Sequence, residues 1–506
     1  MTEFPTTPIP PVDTSLPSAY QYMQQNKLLL EAMDAEQMRL MVSQWLQMEG
    51  HLEARISDLA QHVTSMRAAG EAVTHETLMT IERYQKLLAQ TQKELYGYTE
   101  FAERLISEQQ AKLAKMGIEH ASTAIQMSLF ESGPGVGAFF DKLPVSAIEN
   151  MVGLTAKGSP VAEVLAKHWP NAVQNMTDIL VRNTGLGINP RQTAREMADG
   201  LAAEGLNNAM TIARSEQLRV YREASRQQYQ ASGMVQQYER MCAHQPRTCM
   251  ACLALDGEIY DTEDLIETHA CCRCIMRPIV DGMPSIERET GQDWFEKQPE
   301  HVQREMMGPS RYEMYKSGDV GIKDMVVTGT HPDWGPTASV RSVRDLQEGA
   351  GIVVSNSVTT NSSMNAVARA RVDGNIEINP RQYHSLSSEG KREAMAHELG
   401  HITVEDTILK DSVSGGLWDQ GEEVLRYRYN EQTQRWLYHG GETRFGEALS
   451  DSVALWLLGD KFPTATRTEQ TAINKFMVKS SSQAGYSKKN LLQMLSDFLV
   501  KAERVK

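Results

Sequence analysis

No apolar run in this chain approaches the ~20 residues needed to cross a bilayer, so the sequence offers no membrane span. Its opening, MTEFPTTPIPPVDTSLPSAY, has no basic start followed by an apolar core. The pattern of a secretory signal is therefore missing, and the segment reads as an extended, proline-rich arm. Positive charge is not in excess: 51 basic against 65 acidic residues leave a formal charge of −14. That argues against a chain whose main task is to coat nucleic acid, and nucleic-acid contact is left to a local basic patch. Proline is absent from Ser18 to Ser132. Cysteine is scarce, with six residues, all between Cys242 and Cys274. A secreted protein stapled by disulfides would scatter them through its domains, so a cluster in a chain made in the cytosol reads as metal binding. There is no internal repeat.

With 506 residues, 41% of them hydrophobic, the chain is long enough for roughly two to four domains with real cores. After the arm (1–17), the segment 18–184 reads as long helices. Tyr84, Leu88, Leu95, Ala102 and Leu105 keep spacings of three, four or seven among polar residues. Such a stripe fits a helical arm that docks on a partner, or a bundle with its own core; periodicity does not separate them. A Gly/Pro-rich break follows at 131–144, and a long helix is expected to stop at Ser232-Gly233. Asp256-Gly257, a strong turn dipeptide between short apolar runs, predicts a small β-hairpin within 185–285. Residues 286–325 read as connecting helices. In 326–506 the texture turns to Gly, Ser, Thr and Asn, with GIVVSNS and NIEINP as expected strands leading into a helix.

Cys249-Met-Ala-Cys252 places two thiolates where both can face one metal across a tight loop. His269, Cys271, Cys272 and Cys274 follow about twenty residues later. Cys249, Cys252 and Cys274 are the firmest candidates for a structural zinc, with His269 or Cys272 as the fourth ligand. No thioredoxin-like strand and helix surround the pair, which argues against a redox role.

The order IARSEQLRVYREASRQQYQASGMVQQYE, RTCMACLALDGEIY, HACCRC resembles the phage head morphogenesis family, the minor head proteins similar to the F protein of phage Mu. The resemblance spans about 185–325. It rests on Arg214-Ser215-Glu216, the CxxC, the Leu-Asp-Gly turn and the closing His269, Cys272, Arg273 and Cys274. It implies a low-copy virion protein that meets the portal and head proteins during assembly in the host cytoplasm. Cys242 and Cys271 fall outside the pattern.

EAMAHELGHITVED (393–406) contains His397-Glu398-x-x-His401. Histidines four apart lie only ~40° apart around an α-helix, so both can reach one zinc ion. Glu398 is then the candidate general base for a metal-activated water. A third ligand should come from a second helix, and FGEALSDSVALWLLGD offers Glu447, with Asp451 on the same face to hold a histidine's distal N–H. Glu405, four residues past His401, is a weaker candidate ligand. His439 or Tyr438 could steady an oxyanion. HELGH with EALSD resembles the two motif helices of gluzincins over about 390–460. That resemblance implies His397, His401 and Glu447 as ligands, Glu398 as base and Asp451 as the histidine's partner.

The expected fold class is α+β, mainly α. Long N-terminal helices would be followed by a zinc-knuckle-like β-hairpin module and a C-terminal zincin-like α+β domain. The expected function is a phage minor head protein with one structural and one catalytic zinc, hydrolysing peptide bonds of a protein substrate. The alternative is a purely structural capsid protein whose peptidase-like domain only binds.

Overall fold

The computed structural model describes residues 18–130, 143, 150–405 and 445–505, apart from 156–157, 247, 284–286, 332–334, 353, 355, 372, 461, 463–464 and 485; between 406 and 444 it describes 424–425, 429–430, 435–438 and 441–443. The chain is a mainly helical α+β structure, and it forms two compact units.

The first unit comprises Met1–Met241, Glu258–Arg288 and Thr330–Thr337. Three of its helices are very long: α1 (Ser18–Ala68), α2 (Glu82–Phe130) and, after the shorter α3 (Trp169–Leu186), α4 (Pro190–Ser232). Their ends follow local chemistry. Asn189 caps α4 by accepting from the Arg191 N–H, Pro190 takes the first helical position, and Gly233 ends the helix in the left-handed region at φ 63°. The helices pack on one another. Tyr84, Leu95, Ala102 and Leu105 are buried, and Leu88 packs against the same core. The periodic stripe therefore belongs to a bundle with its own core. At its centre Trp45 meets Tyr98 edge to face, with ring centroids 4.9 Å apart. Gly205 makes the close approach possible, since a Cβ there would stand 2.4 Å from Trp45.

A three-stranded antiparallel sheet completes this unit, with β1 (Val235–Met241) between β2 (Ile259–Asp261) and β3 (Ile275–Val280). Pro278 lies on an edge strand, where its missing N–H costs no ladder bond. The expected hairpin differs in detail. The apolar run before Asp256-Gly257 folds as a short helix, α5 (Met250–Ala254), and β2 pairs with β1 rather than with a strand just before the turn. Cys249 at the N-cap starts that helix, and Gly257, at φ 88°, takes the left-handed turn after it.

The second unit comprises Cys242–Gly257, Glu289–Gly329 and Ala338–Lys506. It holds α6 (Glu300–Met307) and a small sheet in which β4 (Val358–Thr360) lies parallel to β6 (Ile376–Ile378), with β5 (Ala368–Ala370) antiparallel on the other side. NIEINP supplies β6 as expected. The strand expected at GIVVSNS lies further on, at Val358–Thr360; Val354 is instead exposed. Three helices pack with this sheet: α7 (Ser388–Thr403), α8 (Phe445–Leu458) and α9 (Lys488–Ala502). Ile376, Ile378, Met395, Leu399, Leu449, Val453 and Phe498 form its core. Among the described residues no helix is long and apolar enough to cross a membrane.

Candidate metal centre

Ser387 starts α7 by accepting from the Gly390 N–H at 3.1 Å. One turn before its end the helix carries His397, Glu398 and His401, and α8 crosses it there. The crossing is close because residue 400 is glycine: a Cβ would stand 2.9 Å from the Ser450 Cα. That approach carries Glu447, in the first turn of α8, over the two histidines.

Three ligand atoms converge. His397 Nε2 and His401 Nε2 are 3.1 Å apart, and Glu447 Oε2 lies 3.2 Å from the first and 3.3 Å from the second. His401 Nδ1 faces the Glu405 carboxylate, which assigns the ring hydrogen to that side. The His401 Nε2 lone pair then points at an imidazole nitrogen and a carboxylate oxygen. Three electron-rich atoms at this spacing repel unless a proton or a cation lies among them. Zinc fits: Zn–N bonds of about 2.0–2.1 Å in a tetrahedron put neighbouring ligand atoms about 3.3–3.4 Å apart. This His397, His401 and Glu447 group is one that could bind a metal.

The electrostatics agree. Burial opposes charge on His401, but the Glu405 and Glu447 carboxylates override it and hold the ring well above the usual histidine range. Glu447 is correspondingly held far below the usual carboxylate range, against its burial, by His397 and His401. Without a metal, a proton does the cation's work.

The other residues expected here are placed as follows. Glu398 Oε2 accepts the Ala370 N–H of β5 at 2.6 Å. Glu405 is a correction: it lies behind His401, on the Nδ1 side, and not among the converging ligand atoms. Ser450, whose Oγ is 3.1 Å from the same Nδ1, was not foreseen. Asp451 is buried one turn beyond Glu447 on α8. Tyr438 ends the strand Arg435–Tyr438, and His439 lies outside the described residues.

The cysteines are all free thiols, so they form no disulfide framework. Cys249, Cys252, Cys272 and Cys274 are buried. Cys249 and Cys252 belong to the second unit, and His269, Cys271, Cys272 and Cys274 to the first. In the second unit the Cys249 Sγ accepts the Cys252 N–H at 3.3 Å, turning both thiols into one tight loop. Nearby, Cys242, His244 and Asp256 also bring ligand atoms together. Asp256 has a plain structural task there: it accepts the backbone N–H groups of Cys242 at 2.6 Å and Gly291 at 2.8 Å, and pairs with His244 at 3.0 Å.

In the first unit the HACCRC segment is fastened by α4. Arg222 donates to the carbonyls of Cys272 and Cys274 at 3.2 and 3.1 Å, and Arg240 reaches the Cys274 sulfur at 3.6 Å. Arg214-Ser215-Glu216 ties the helix in three directions. Arg214 pairs with Asp34 of α1 at 3.2 Å. Ser215 Oγ accepts the Cys271 N–H at 3.1 Å, where the chain turns through φ 59°. Glu216 accepts from Gln110 of α2 and from Arg219, at 3.2 and 2.8 Å.

Comparison with known proteins finds one family match, over part of the chain. Residues 174–277 match the family described as Phage Mu protein F like protein. The match takes in α4, β1, β2, the start of β3 and every cysteine, so the Mu F-like domain includes Arg214-Ser215-Glu216 and the cysteine segment. No curated protein and no solved structure matches the chain.

Proposed function

We propose that this chain is a minor head protein of a phage that carries a zinc hydrolase. The Mu F-like domain supports a place in the head, with portal and head proteins as partners. The hydrolase reading rests on one observation: two histidine nitrogens and a carboxylate oxygen, mutually 3.1–3.3 Å apart, with a hydrogen-bonded carboxylate fixing one ring. His397, His401 and Glu447 would hold zinc, which when bound supplies Lewis acidity and brings a water's pKa toward ~7. Glu398, next to His397 on the helix, accepts the proton that an attacking water gives up and returns it to the leaving amine. Its bond to the Ala370 N–H fixes the carboxylate at the edge of β5 until then. Asp451 would hold the remaining distal histidine nitrogen, and Tyr438 or His439 would stabilise the oxyanion. Cys249, Cys252 and Cys274, with His269 or Cys272, would hold a structural zinc, as their sequence spacing suggests.

Glu398→Gln in the full-length chain tests this reading. It should leave zinc content unchanged and slow cleavage of a denatured protein such as β-casein by about 10²–10⁴-fold. If the wild type binds zinc there and cleaves nothing, the unit is a binding module of a structural capsid protein.

A further inference from the structure

We infer that Glu405 is a positioning residue for the metal centre, one that fixes which nitrogen His401 presents. The inference rests on the zinc-site reading above and adds a residue to it. Glu405 lies just past the end of α7, on the turn after His401, and is only 4% exposed. Its Oε2 takes the Nδ1 side of the His401 ring, and Ser450 Oγ closes the same position at 3.1 Å from Nδ1 and 3.4 Å from Oε2. Its other oxygen lies 3.9 Å from the Arg304 guanidinium of α6.

Space for this carboxylate is built into α8. A Cβ on Gly446 would stand 2.0 Å from Glu405 Oε1, so residue 446 is glycine where the acid is seated. The next residue is Glu447. Ser450, one turn further, supplies the hydroxyl. The helix that delivers the third ligand atom thus also forms the seat of the acid behind the second histidine.

The chemistry follows. A neutral imidazole has one N–H and one lone pair. With Nδ1–H given to Glu405, the lone pair is on Nε2, which faces His397 Nε2 and Glu447 Oε2. A buried carboxylate at the distal nitrogen also makes the ring a stronger donor, and loss of such a partner commonly costs 10–100-fold in metal affinity. Arg304, at 3.9 Å from the acid's other oxygen, adds a positive charge on the side away from the histidine.

The test uses the full-length chain and reads only the zinc that His397→Ala removes. Zinc affinity would be measured by chelator competition, and the cobalt(II)-substituted visible spectrum recorded beside it. Glu405→Leu should weaken zinc by up to about 100-fold and Glu405→Gln by about 10-fold, with full loading at saturation. The cobalt spectrum should shift in Glu405→Gln while keeping a tetrahedral pattern, which a loss of packing alone would not produce. Should Glu405→Leu fail to fold, Glu405→Gln decides, because it keeps the size and the acceptor oxygen. Wild-type affinity and spectrum in Glu405→Gln would overturn the role of Glu405. If His397→Ala removes no zinc from the wild type, the failure lies with the metal-site reading instead.

Discussion

Glu216 and Glu447 both put a carboxylate among the helices of their units, with opposite consequences. Glu216, with no exposed side-chain surface, meets the Arg219 guanidinium at 2.8 Å and the Gln110 amide at 3.2 Å. Donors meet an acceptor, and positive charge meets negative. Burial still pushes the Glu216 carboxyl above its ordinary range, against the pull of Arg219 and Arg222, and among the described residues its second oxygen has no hydrogen-bond partner. This is an internal brace, held at a cost. Glu447 meets two imidazole nitrogens that face each other. With His401 Nδ1–H directed at Glu405, that triangle needs a proton on His397 Nε2 or an added cation among its three atoms. A buried carboxylate that faces donors braces a fold; one that shares a triangle with two imidazole nitrogens suits a cation.

The contrast can be broken in two ways, and the larger effect falls on the brace. Glu216→Ala strands Arg219 and Gln110, and should cost about 3 kcal/mol in the melting of the helical unit, followed by circular dichroism. Zinc bound through His397 should not change. A variant that melts normally, or loses that zinc, would break the distinction.

A smaller effect concerns pH. The charged form of His401 is favoured by the fold, so its contribution is complete below the ordinary value of 6.5 and fades as pH rises through the raised folded value. Glu405 and Glu447 are held below 4.5, so their contribution is present above that value and lost in acid. The metal-free chain should therefore gain most from this cluster between these two values, and its melting temperature should fall from pH 6 to pH 8 more than that of His401→Ala. Zinc must displace the proton, so its affinity should climb over the same interval. A flat affinity profile would contradict the proton-for-metal exchange.

Much of this was legible in the sequence. Proline-free, periodic stretches announced long helices without separating a bundle from a docking arm, and Ser232-Gly233 marked the end of α4. His397, His401 and Glu447 were legible because helical spacing alone puts the first two on one face, and the third needs only a second helix. Glu405 was legible as an acid but not in its role, because four residues past His401 a side chain can reach either face of the ring once the helix ends. Arg304 gives no local signal, since it comes from a helix nearly a hundred residues earlier. Gly446 and Gly400 explain themselves only when a second helix is brought against them. The Asp256-Gly257 turn was read correctly as a turn and wrongly as the tip of a hairpin, because five apolar residues after an N-capping cysteine suit one turn of helix as well as a strand.

The most direct measurement is the zinc content of the purified full-length chain, wild type beside His397→Ala, after exhaustive dialysis against a weak chelator. The account predicts that the mutant holds about one zinc fewer per chain, whatever the cysteines retain. Equal zinc in two well-folded samples would contradict it, and would leave the His397, His401 and Glu447 triangle as a protonated cluster with a structural role.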